Sequence, residues 1–134
     1  MDALRAALEA HPDPASSAGP EALTCIYESA QCAYVCTTCA DACLVETDHG
    51  DLSRCIRMNL DCAEICAIVG RFLARPGHQD RETLERILEA CVIACRACAG
   101  ECRRHDEMEH CQVCADQCER CADACEAMIP ALVP

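Results

Sequence analysis

A chain of 134 residues is long enough for one buried core and too short for a catalytic domain beside a regulatory one. Its formal charge of −12, from 23 acidic and 11 basic side chains, argues against nucleic acid or an anionic membrane as partner, because both demand clustered Lys and Arg. Aromatic residues are 2% of the chain and Trp is absent, so ring packing does not hold the interior, whereas 17 cysteines mark a disulfide or metal scaffold.

The first eleven residues predict a short helix with Leu4 and Leu8 on one face. Pro12, Pro14, Ser16, Ser17, Gly19 and Pro20 then read as a linker. The first long helix is expected to open at Pro20 or Glu21, where proline suits the first turn, and to run to about Glu46. After a turn at Thr47–Gly50, the second is expected from Asp51 to about Arg75, stopped by Pro76-Gly77. The third opens at Asp80 and reaches about His105. Asp106 and Glu109 predict a capping box for the fourth, which ends before Pro130. Four such helices on short turns predict an all-α, antiparallel up-down-up-down four-helix bundle, with the short N-terminal helix and linker at 1–19, the bundle at 20–129 and a tail at 130–134. No apolar run is long enough to span a membrane, and the start lacks a basic region leading into an apolar stretch, so a cytoplasmic protein with reduced thiols is expected.

The cysteines fall at helical spacing. The first long helix carries Cys25, Cys32, Cys36, Cys39 and Cys43, and the second Cys55, Cys62 and Cys66. Cys91, Cys95, Cys98 and Cys102 lie on the third, and Cys111, Cys114, Cys118, Cys121 and Cys125 on the fourth. Steps of three and four, or their sum, place all of them on the faces that meet at the bundle axis. The stripes continue into hydrocarbon through Leu88 and Leu84 on the third helix and Val69 and Leu73 on the second, so one end of the core is aliphatic. Packing alone does not explain the stripes: Cys and Ala bury far less apolar area than Leu and Ile.

Several thiol chemistries compete. Cysteines three or four apart on one straight helix poorly meet disulfide torsions, although cross-helix pairs remain open as a thiol redox buffer. Iron–sulfur clusters normally draw their thiolates from tight loops rather than from helices. A zinc reservoir would bury tetrahedral thiolate sites of net charge near −2 each. Cu(I) is soft, accepts two or three thiolates and shares bridging sulfurs, so multiple Cu(I) ions, on the order of one per cysteine, leave a nearly neutral core. Charge balance therefore favours a monovalent soft ion, and the chain is expected to be a Cu(I) store and not an enzyme.

The runs Cys32-x₃-Cys36-x₂-Cys39-x₃-Cys43, Cys62-x₃-Cys66, Cys91-x₃-Cys95-x₂-Cys98-x₃-Cys102 and Cys111-x₂-Cys114-x₃-Cys118-x₂-Cys121-x₃-Cys125 resemble the bacterial copper storage proteins, in particular their cytosolic branch, over about residues 21 to 128. The resemblance implies a homotetramer and a tube of mostly two-coordinate Cu(I) thiolate sites. It also implies histidines or methionines at the mouth where copper enters, and a copper chaperone is a candidate donor. Up-down connectivity gathers Cys43, Cys55, Cys102 and Cys111 at one end, together with His49, His105, His110, Met58 and Met108. That end is the expected mouth, with those five side chains as soft or borderline ligands. His11 and His78 belong to the other end and carry no expected role. Ile65, Ile68 and Phe72 form an apolar row that faces either a helix neighbour or another subunit.

Overall fold

The computed structural model describes residues 2–13 and 19–132. The linker residues Pro14, Ser16 and Ser17 and residues 133–134 of the expected tail lie outside the described residues. Helix α1 spans Asp2–Glu9, α2 Pro20–Val45, α3 Ser53–Leu73, α4 Arg81–Arg103 and α5 Glu109–Met128, followed by a 3-10 turn at Ile129–Ala131. The four long helices hold 26, 21, 23 and 20 residues. Around the bundle, α2 packs on α3 and α5, and α4 completes the square against the same two helices. Thiol contacts fix the directions. Cys25 meets Cys125 while Cys43 meets Cys111, so α2 and α5 are antiparallel. Cys55 meets Cys102 while Cys66 meets Cys91, so α3 and α4 are too.

The helix ends have local causes. Pro20 sits in the first turn of α2, where its missing N–H is not needed. Gly50 takes a left-handed φ of 71° in the turn before α3, a conformation that glycine adopts without a Cβ clash. Asp80 caps α4 by accepting from the Thr83 backbone N–H at 3.0 Å.

The capping box expected from Asp106 and Glu109 does not form. The residue that caps α5 is Met108, without a side-chain hydrogen bond. Asp106 is exposed while Met108 is buried, because seating the thioether in the core aims the chain differently from a box built on Asp106. Gln112 holds the turn instead, its Nε2 donating to the carbonyls of Cys102 at 3.2 Å and His105 at 3.0 Å.

The aliphatic end is as the stripes predict: Val69, Leu73, Leu84 and Leu88 are all buried. Helix α1 lies against it with Leu8 buried and Leu4 packed on the core. At the same end the His11 ring packs over Gly77, leaving only ordinary contact room, 3.5 Å, for a Cβ there. Of the apolar row on α3, Ile65 and Phe72 turn partly into the core and Ile68 is exposed.

Candidate metal centre

All 17 cysteines are free and buried. Their sulfurs approach across helices at 3.5 Å for Cys25 and Cys125, 3.5 Å for Cys36 and Cys118 and 3.6 Å for Cys66 and Cys95. These are contacts between thiols, well beyond the roughly 2.05 Å of a disulfide bond.

The thiols gather into four-membered cages whose ligand atoms lie within 4.8 Å of one another. From the mouth inward, the first is Cys39, Cys43, His110 and Cys111, and the next is Cys36, Cys98, Cys114 and Cys118. Then follow Cys32, Cys36, Cys62 and Cys118; Cys32, Cys62, Cys66 and Cys95; and Cys66, Cys91, Cys95 and Cys121. From the second cage onward, each shares two sulfurs with the next. Such a column suits ions that accept bridging thiolates, whereas a tetrahedral zinc site closes on four ligands of its own.

Two stripe positions that the cysteine spacing skips are filled by other residues. A step of seven on α2 hides Ser29, four after Cys25, and a step of seven on α3 hides Asn59, four after Cys55. Both are fully buried. Ser29 donates to the carbonyl of its own helix at Ile26, and a Cβ on Gly70 opposite would stand 3.3 Å from its Oγ, so it marks the close crossing of α2 and α3 at the aliphatic end. Asn59 stands among thiols. Its Oδ1 accepts from Cys114 at 3.0 Å and Cys98 at 3.2 Å, and its Nδ2 donates to the Cys55 carbonyl at 2.9 Å and lies 3.4 Å from the Cys55 sulfur. Sequence reading missed it by following cysteines rather than the three-four alternation itself. For the same reason Met58 is not on the inward row: it is half-buried on the flank and Asn59 holds the position.

The mouth gathers the expected histidines, each in a different setting. His110 Nδ1 lies 3.4 Å from Cys39 Sγ and 3.7 Å from Cys111 Sγ, and its buried Nε2 makes no hydrogen bond, with Glu46 Oε1 3.5 Å away outside hydrogen-bond geometry. His105 Nε2 lies 2.9 Å from Glu101 Oε2. His49 pairs with Glu46 at 3.0 Å and Glu107 at 3.8 Å. His49, His105 and Met108 line a cavity of about 430 Å³ between the two turns at this end.

The thiols here do not share one acidity. Hydrogen bonds from Cys102 and Cys39 lower the Cys55 thiol, and the neighbouring His105 imidazole acts in the same direction. Burial and the charge on Cys55 push Cys43 up to about 11, and burial with its charged neighbours pushes Cys111 up as well. Deeper in, hydrogen bonds among thiols lower Cys62 and Cys114 and raise Cys36 and Cys95.

A thiol raised above its unfolded value keeps its proton in the native state where the unfolded chain has lost it. The stability contributed by Cys43 is therefore complete below about pH 9 and disappears as the pH rises toward 11. Urea titrations of the reduced apo protein should give a lower midpoint at pH 10.5 than at pH 8. An equal or higher midpoint would contradict a protonated Cys43.

A helical bundle whose interior is one connected column of reduced thiols defines a multinuclear thiolate metal store. Residues 19–130 match the model of the copper storage protein family, and the chain belongs to that family. It is similar to the copper storage protein Ccsp from Streptomyces lividans, solved loaded with 10 copper equivalents, at 40% identity over 96% of this chain and 99% of that one, with a TM-score of 0.90. It is also similar to the Cu(I)-bound copper storage protein BsCsp3, at 34% identity over 81% of this chain and 97% of that one, with a TM-score of 0.73. An uncharacterized cysteine-rich protein of Bacillus subtilis, YhjQ, is 36% identical over 68% of this chain and 80% of its own length. The expected fold class and family are both met, and the function is copper storage on multiple Cu(I) sites.

Proposed function

We propose that this chain is a cytosolic store that holds Cu(I) on Cys25, Cys32, Cys36, Cys39, Cys43, Cys55, Cys62, Cys66, Cys91, Cys95, Cys98, Cys102, Cys111, Cys114, Cys118, Cys121 and Cys125, with no catalytic step. The observation that carries this reading is the sharing of sulfurs between successive cages, which lets one ion per thiolate fill the column without net charge. The spacing fits as well. Three sulfurs around one ion at roughly 2.3 Å stand about 4 Å apart, the scale of a thiolate–metal bond in plane-trigonal geometry. Cross-helix pairs such as Cys62 and Cys95 at 3.7 Å and Cys55 and Cys102 at 3.9 Å match that spacing.

Loading starts at the mouth. His110 completes a cage with Cys39, Cys43 and Cys111, while His49, His105 and Met108 supply nitrogen and thioether donors around it. Each ion displaces thiol protons, and from the second cage inward ions move by exchange between thiolates that belong to two cages at once. A chaperone that delivers Cu(I) by ligand exchange would present it here. Self-association into a homotetramer would use apolar residues exposed on the outer face of α2 and α3, including Leu44, Leu60 and Ile68.

Copper X-ray absorption on the fully loaded protein tests the ligand assignment. The nearest shell should consist of two to three sulfurs with a small nitrogen share. A shell dominated by nitrogen or oxygen would contradict it.

A further inference from the structure

Among the described residues Glu101 is the one carboxylate buried in the core, with its side chain 7% exposed. It lies in the last turn of α4, next to Cys102. Arg54 Nε from α3 reaches its Oε1 at 3.2 Å, Arg104 reaches the same oxygen at 3.4 Å, and Oε2 lies 2.9 Å from His105 Nε2. Burying a carboxylate is costly unless it is paired, and a neutral amide could close this helix end without that cost. The two arginines hold the anion in place, and its other oxygen holds an imidazole.

That imidazole has little freedom left. The His105 backbone N–H donates to the Cys102 carbonyl at 3.0 Å, and its own carbonyl accepts from the Met108 N–H and from Gln112 Nε2, each at 3.0 Å. Its ring lines the mouth cavity. A carboxylate that accepts one ring N–H of a histidine fixes the tautomer and orientation and strengthens the other nitrogen as a metal donor. His110 has no such partner on its outer nitrogen, and His49 is held by two carboxylates of its own.

We propose that Glu101 is a positioning residue for copper loading: by accepting the Nε2 proton of His105, it holds that ring at the mouth as the Nε2–H tautomer, with Nδ1 as the nitrogen that takes Cu(I) and passes it to the thiols. Arg54 and Arg104 keep the carboxylate in register. The proposal rests on the copper-store reading for its cargo, while the tautomer it assigns is a property of the apo protein. It concerns the rate at which copper enters, since Glu101 touches no core sulfur in any hydrogen bond of the structure.

The test uses full-length reduced protein under anaerobic conditions, with Cu(I) supplied as a bicinchoninate chelate and loading followed by stopped flow. Glu101→Gln should slow loading about tenfold, the lower end of what losing a histidine's outer partner costs, with total capacity unchanged. His105→Ala should slow it at least as much, and the double variant no further. Nitrogen-15 spectra of the apo protein should show His105 as the Nε2–H tautomer in the parent and as a mixture in Glu101→Gln. Wild-type loading rates in Glu101→Gln or in His105→Ala would overturn the proposal. So would additive slowing in the double variant, or an Nδ1–H tautomer in the parent, a measurement that needs no variant to fold. A parent that saturates at a few ions contradicts the store instead, and the tautomer then still decides the role of Glu101.

Discussion

Filling the core with Cu(I) is expected to raise the melting temperature by roughly 25 °C or more, because binding to the native state alone adds to its stability by mass action. One site held at a thousand times its dissociation constant contributes about 4 kcal/mol. For a domain of this size 1 kcal/mol moves the midpoint by roughly 2–8 °C, so about two to three such sites reach the expected shift. Copper also binds thiols of the unfolded chain, which offsets part of the gain. The net sign stays positive because only the native bundle presents thiols as cages with all ligand atoms within 4.8 Å. Circular dichroism melts of the apo and loaded protein check this. Equal midpoints would mean that copper sits on thiols indifferent to the fold.

The second large effect separates what holds the bundle from what holds the metal. Leu88 is fully buried at the aliphatic end, and Leu88→Ala should cost the apo protein about 2–5 kcal/mol through lost burial and the cavity left behind. Copper capacity should not change, since Leu88 belongs to none of the cages. Cys118→Ala should do the reverse. Losing one sulfur costs apo stability about 1 kcal/mol, the scale of one buried methylene. Because Cys118 belongs to two cages, capacity should fall by about one or two ions. Denaturant midpoints and copper counts on the two variants decide it. A Cys118→Ala protein as destabilised as Leu88→Ala, with undiminished capacity, would make the thiols ordinary core packing.

Much of this was legible in the sequence because the two signals that matter are periodic. Cysteine steps of three and four put all 17 thiols inside, and short turns at Thr47–Gly50 and Pro76-Gly77 set the antiparallel order that brings Cys43, Cys55, Cys102 and Cys111 to one end. Residues that break the pattern by type while keeping its spacing were harder to see. Asn59 occupies a thiol's place and accepts from two thiols, yet nothing in an asparagine advertises a core position until the alternation from Cys55 to Cys62 is filled in.

The capping box failed for a related reason. Asp106 and Glu109 fit the motif locally, but burying Met108 and anchoring the turn through Gln112 are tertiary interactions that a local motif does not contain. Glu101 was invisible as well. Its partners Arg54 and His105 come from α3 and from the turn beyond α4, and a lone Glu on a charged helix reads as solvated until the bundle places them around it.

The most direct measurement is an anaerobic titration of fully reduced protein with Cu(I), with a chromogenic chelator present to report the first free copper. If the thiols of neighbouring cages bridge ions into a neutral column, chelator colour should appear only after about one equivalent per cysteine or more. Saturation after one to four ions would contradict the store and leave a few isolated thiolate sites in its place.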